Sequence, residues 1–191
     1  MAVDRERLEQ AVAEVLGALG EDPARPGLAE TPALVAQSLA EFVVGLDEDP
    51  RTFLTERLPA TEVSDLVMVT NVGFRSLCEH HLLPITGIAH IGYLPAAHVV
   101  GLGKLPRVLQ SVAARPQIQE RIGEMTADII DSELQPRGVI VILDAEHQCV
   151  TARGGQHTSS RTVTIAARGT LTEPAARTEV LALIATTAET A

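Results

Sequence analysis

A chain of 191 residues with 46% hydrophobic content is long enough for one domain with a buried core, which excludes disorder as the expectation. Aromatic residues make up only 2%, with no Trp and one Tyr, so the core falls to Ala, Val, Ile and Leu, and stacking platforms for nucleic-acid bases are poorly provided. The net charge of −10 repels polyanions over the whole surface, so a nucleotide must be caught by a local cluster of Arg and Lys. No run of about eighteen apolar residues is present to span a membrane, and no secretory signal is read at the N-terminus. The expectation is a cytoplasmic protein directed at a small molecule, with neither nucleic acid nor membrane as partner.

Leu8, Val12, Val15, Leu16 and Leu19 recur at helical spacing over residues 4 to 19, and Gly20 is a natural stop. Pro23 and Pro26 mark a loop, after which Thr31 and Pro32 pair an N-cap with proline at the first position of a second helix running to about Val44. Gly45 to Pro59 reads as an irregular connection. Leu66 to Thr70 and Gly87 to Leu94 predict two strands of a hairpin. Leu105, Val108, Leu109 and Val112 predict a helix that Arg115-Pro116 breaks, and a further helix runs from Gln117 to Leu134. Gly138 to Leu143 is the most uniformly apolar run, a buried strand. Cys149 to Ala152 and Thr162 to Ala167 read as an antiparallel pair, and Pro174 to Ala188 as a final helix. The order predicts an α+β fold with helices on one face of an antiparallel sheet, divided into an N-terminal helical region, 1–60, and a sheet-bearing domain, 61–191.

The chemistry-bearing residues concentrate in two short polar clusters. Cys78 stands three residues before His81 in Ser76-Leu77-Cys78-Glu79-His80-His81-Leu82-Leu83-Pro84, and Cys149, the other of only two cysteines, stands two residues after His147. If the clusters meet, Cys78, His81 and Cys149 offer two sulfurs and one nitrogen, a set that suits zinc and leaves a fourth position open. Two other readings fit the spacing: a disulfide, which a reducing compartment disfavours, and ordinary burial of small thiols beside satisfied histidines.

The same residues carry a resemblance. The Ser76–Pro84 stretch, Val99 to Arg107, Arg115 to Arg121, and His147-Gln148-Cys149 with Arg153-Gly154 are similar, in this order, to the motifs of the GTP cyclohydrolase type I family, and the similarity runs from about Glu21 to the C-terminal helix. The resemblance implies the tunnelling fold, in which the sheets of several subunits close into a barrel, usually in a homodecamer with active sites at subunit interfaces. It implies Zn2+ on Cys78, His81 and Cys149, and His80 and His147 as catalytic residues. It gives Glu120, flanked by Gln119, to the guanine, and Lys104, Arg107 and Arg153 to the phosphates. The implied reaction opens the guanine imidazole ring of GTP at C8 with release of formate and closes to 7,8-dihydroneopterin triphosphate, the entry step to folates and pterins.

The chain departs from the family at its phosphate end. Two positions commonly basic in the second helix are Leu34 and Gln37, and a position commonly serine before the phosphate-binding lysine is Gly103. Asn71-Val72-Gly73-Phe74-Arg75 also differs from the usual run before the first cluster. These differences leave two alternatives open: a paralogue acting on another guanine nucleotide in specialised metabolism, and a non-catalytic nucleotide-binding member with a structural or regulatory role.

Overall fold

The computed structural model describes residues 3–60, 65–153 and 159–188. Helix α1 (Arg5–Ala18) is capped by the Asp4 carboxylate, which accepts from the Arg7 amide at 3.0 Å. None of its residues is buried, and it packs on α2 (Thr31–Phe42), whose Pro32, Ala36 and Ala40 face inward. The connection expected to be irregular contains two 3-10 turns, Val44–Asp47 and Pro50–Leu54, before a short strand β1 (Leu58–Pro59).

The expected hairpin forms from β2 (Val67–Cys78) and β3 (Pro84–Leu94), both longer than the apolar runs that announced them. Hydrogen-bonded pairing carries a strand through polar residues that periodicity does not count. The β2 register shifts between Val69 and Val72, where Asn71 takes φ 55°, so a bulge bends the strand before it reaches Cys78. The two-residue β4 (His98–Val99) pairs with β1. Helix α3 (Lys104–Ala113) ends ahead of β5 (Pro116–Gln117), and α4 (Gln119–Leu134) starts two residues later than expected because Pro116 and Gln117 pair in parallel with the end of β2.

Strand β6 (Gly138–His147) continues past the apolar run to His147, and its antiparallel partner is β7 (Thr162–Gly169). The expected strand over Cys149–Ala152 is instead a single helical turn, α5 (Gln148–Thr151). Its four residues are too few to carry a period, and Thr151 turns its hydroxyl back to the Glu146 carboxylate at 2.7 Å. Helix α6 (Pro174–Ala188) closes the described chain.

The main sheet has the order β5-β2-β3-β6-β7, antiparallel except for β5. Val139, Val141, Leu143 and Ala145 of β6 face the core with Leu105, Val108, Leu109 and Val112 of α3 and Ile122 and Ile130 of α4. Each Val, Leu or Ile among them stabilises the fold by about 1.5–3 kcal/mol when fully buried. The sequence predicted helices on one face only, and the structure corrects this: Ile140 and Ile142, pointing the other way, cluster with Val180, Ala176 and Ile184 of α6. Alternate residues of one strand thus serve two cores, which is why β6 reads as continuously apolar. Among the described residues no helix is long and apolar enough to cross a membrane.

Candidate active site

Antiparallel order brings the end of β2, the start of β3 and the end of β6 to one edge of the sheet: Leu77 pairs with Pro84, and Ile85 with His147. At the neighbouring position on β3, a Cβ on Gly87 would overlap the Asp144 carbonyl and Ala145, so only glycine permits this approach of the two strands. From Cys78 the chain turns tightly. The Cys78 amide donates to Leu83 O and the Leu82 amide to Cys78 O, both at 2.8 Å, with Leu82 in the left-handed region at φ 53°. This turn leaves Cys78 buried while His80 and His81 are exposed.

Cys78, His81 and Cys149 come together, with their ligand atoms all within 4.8 Å of one another. Both cysteines are free thiols, and Cys78 Sγ lies 3.6 Å from His81 Nδ1. Burial, followed by the neighbouring Cys78 sulfur, pushes the Cys149 thiol up. Two sulfurs beside an imidazole form a donor set that a soft divalent cation satisfies, so the residues fit a zinc site. Arg153 donates from Nη2 to His81 Nε2 at 2.7 Å. Ligation of a neutral imidazole through Nδ1 would place the proton on Nε2, so ligation by that nitrogen and this contact exclude one another.

His80 lies edge-on to His81, its Nε2 3.9 Å from the Glu79 carboxylate. Glu79 also accepts from Arg121 at 2.6 Å, and Arg121 reaches Gln117 Oε1 at 3.3 Å, so an ion pair ties the cysteine turn to the first part of α4. The sequence reading missed this pair. Its members are each adjacent to an assigned residue, Cys78 and Glu120, but they stand 42 positions apart, beyond any local spacing signal.

His147, the last residue of β6, is half-buried, and burial lowers its pKa while the charge of Glu120 raises it. Its Nε2 lies 2.7 Å from Gln119 Oε1. Gln119, expected beside Glu120 at the guanine, is fully buried with its amide nitrogen on Leu143 O, Thr162 O and Thr164 Oγ1. Glu120 itself is exposed in the first turn of α4, where the helix dipole favours a carboxylate.

The assigned phosphate residues do not form a single group. Arg153 contacts His81, but Lys104 is paired with Glu56 at 2.8 Å and Arg107 stacks over the Phe53 ring at 4.3 Å. Among the described residues no hydrogen bond or ion pair joins Lys104 or Arg107 to the Cys78 cluster. Arg107 instead lines a cleft of about 630 Å³ with Arg75, Glu41, Glu48 and Phe42, which contains none of the cysteine or histidine positions. Gly154 and the four residues after it lie outside the described residues.

A sequence model of GTP cyclohydrolase I matches residues 8–185. The chain belongs to the GTP cyclohydrolase I family. It is similar to a protein named GTP cyclohydrolase 1 from Leifsonia xyli subsp. xyli, 53% identical over 182 residues covering 95% of each chain. A relative of the same name from Clostridioides difficile is 48% identical over 95% of this chain and 97% of its own. One from Bacillus subtilis is 46% identical over 94% of this chain and 95% of its own. Membership of this family makes the chain an enzyme of the GTP cyclohydrolase I type and removes the non-catalytic reading.

Proposed function

We propose that this family member is a zinc-dependent GTP cyclohydrolase I that opens the guanine imidazole ring of GTP hydrolytically at C8, releases formate and forms 7,8-dihydroneopterin triphosphate, the first step towards folates and pterins. The observation that carries this reading is the convergence of Cys78, His81 and Cys149, with ligand atoms within 4.8 Å, beside His80 and His147. Zinc held by those three residues would supply Lewis acidity, which brings the pKa of a water towards neutrality for attack at C8.

The protein's own side chains account for the rest. His147, whose pKa burial lowers against the charge of Glu120, can take a proton, and His80, exposed at the mouth of the turn, can give or take one at the ring nitrogen or the ribose oxygen. Glu120 accepts from guanine N1–H and the amine on C2; adenine has a lone pair at N1 and no amine on C2, so the carboxylate rejects it. Lys104, Arg107 and Arg153 supply charge to the phosphates, the arginines through bidentate contacts. Because Lys104 and Arg107 are engaged away from the cysteine cluster, the complete site draws them from a neighbouring copy, in keeping with a homodecamer of closed sheets. The exposed edge strand β7, whose Val163 is 60% exposed, supports that closure. In this arrangement residues 1–60 form the helical region bordering the catalytic domain, 61–191, in the cytoplasm.

A second reading, in which another guanine nucleotide is the substrate, is favoured by Leu34 and Gln37, both exposed on α2 where cations would reach phosphate. Incubation of the purified protein with GTP, GDP, GMP and guanosine, followed by formate release and pterin fluorescence, tests both. Formate from GTP with a fluorescent pterin is the expected result, and formate from GMP or guanosine alone would move the assignment to the second reading.

A further inference from the structure

We propose that Gln119 is a positioning residue that holds His147 in its Nε2–H tautomer and leaves Nδ1 as the ring nitrogen that exchanges protons. The inference rests on the reading of His147 as a proton-transfer residue. It begins from the Gln119 amide, which is fully buried. Amide oxygen and nitrogen are interchangeable in shape, so their assignment must come from their neighbours. Here the neighbours decide. The nitrogen lies 3.1 Å from Leu143 O and 2.9 Å from Thr162 O, two backbone carbonyls that can only accept, with Thr164 Oγ1 at 3.1 Å. A flipped amide would set its oxygen against the two carbonyl oxygens with no proton between them, and would withdraw the one side-chain donor that both carbonyls share.

With the nitrogen fixed, Oε1 must face His147 Nε2, at 2.7 Å, and a carbonyl oxygen only accepts. His147 must therefore donate from Nε2, so in the neutral ring Nδ1 carries the lone pair. When Nδ1 takes a proton, the imidazolium keeps its Nε2–H on Gln119; when Nδ1 returns the proton, the ring reverts to the same tautomer. Gln119 thus spares the ring a tautomer exchange in each cycle, and it is anchored by β6 and β7 carbonyls that belong to the sheet itself. A glutamine adjacent to the guanine-directed Glu120 thereby serves the proton-transfer group instead of the base.

Neutron crystallography of the hydrogen/deuterium-exchanged, metal-loaded full chain tests this without any variant. Deuterium on His147 Nε2 is expected, and a neutral ring carrying it on Nδ1 would overturn the proposal. Gln119→Met keeps the side-chain length and removes the amide. It is expected to lower kcat at least about tenfold, up to the whole contribution of about 10²- to 10⁴-fold made by positioned proton transfer, with KM little changed. A raised KM with kcat intact would make Gln119 a substrate contact and sink the proposal. Thr164→Val, which removes one anchor and leaves both carbonyls, is expected to give a smaller loss of kcat in the same direction. Full turnover in His147→Ala would overturn the underlying reading of His147 even with deuterium on Nε2, so the two failures are distinguishable.

Discussion

Around His147 the polar partners are internal: Gln119 is fully buried and bound to two sheet carbonyls, and the cysteine turn is clamped to α4 through Glu79 and Arg121. Around Lys104 they are external, since its partner Glu56 has a side chain 81% exposed, and Arg107 rests on the face of Phe53. Buried, satisfied networks fix geometry, whereas exposed ion pairs contribute only about 0–1 kcal/mol and can be exchanged for other partners. On the proposed reading, the difference teaches that the bond-making end of the site is preorganised within one chain. The cations proposed for the phosphates are held only by exchangeable surface contacts, which substrate or a neighbouring copy could redirect.

The largest effect that would break this contrast lies at the cysteines. Cys78→Ala, His81→Ala or Cys149→Ala is expected to remove bound metal and turnover together, because three ligands are the minimum from which an open fourth position can be kept. Metal analysis alongside formate release checks this, and full activity in a verified metal-free sample would defeat the zinc reading. Next in size come His80→Ala and His147→Ala, which should lose about 10²- to 10⁴-fold in turnover while keeping metal and oligomer. Loss of metal in either would make that histidine a ligand.

Smaller effects are expected at the phosphate end. Leu34→Arg with Gln37→Lys restores two cations on the exposed side of α2, and each charge-assisted hydrogen bond is typically worth about 1.5–3 kcal/mol. If those contacts hold ground and transition states alike, the gain appears as a lower KM for GTP at unchanged kcat. A double variant that gains nothing over a wild type already selective for GTP would mean that other arginines fill the role. Arg75, now 3.7 Å from Glu41 and over the Phe42 ring, is the first to test.

Legibility in the sequence followed the same division. Each polar cluster is local, so Cys78 with His81, and Cys149 with its neighbour His147, could be read as candidates from a few adjacent residues. The apolar runs Leu66–Thr70 and Gly138–Leu143 announced β2 and β6 for the same reason. What could not be read depends on contacts between distant segments. Strand ends at Cys78 and His147 were hidden because pairing with β3, and not side-chain alternation, sustains them. The turn at Gln148–Thr151 is too short for periodicity. The burial of Gln119 depends on Thr162 and Thr164, more than 40 positions away, and no first-turn glutamine advertises that its oxygen will face an imidazole.

The smallest expected effect tests the contrast away from the site, at His90. This residue is 6% exposed on β3, opposite Ile142, and its Nδ1 has no hydrogen-bond partner. Burial lowers its pKa, with the Asp144 charge opposing. The folded state therefore binds fewer protons at His90 than the unfolded state, whose value lies near 6.5. Stability from the neutral ring is fully present above that pH and is lost as pH falls through the lower folded value. Burial shifts His147 in the same direction, so wild-type acid sensitivity is shared between the two rings. His90→Leu removes one share and leaves the candidate site untouched. Its thermal midpoint is expected to fall less steeply than that of the wild type between about pH 6.5 and pH 5, with the two curves most nearly parallel above pH 7. Curves parallel over the whole range would mean that His90 is protonated as readily in the fold as out of it, and that the second face of the sheet is more open to solvent than its packing indicates.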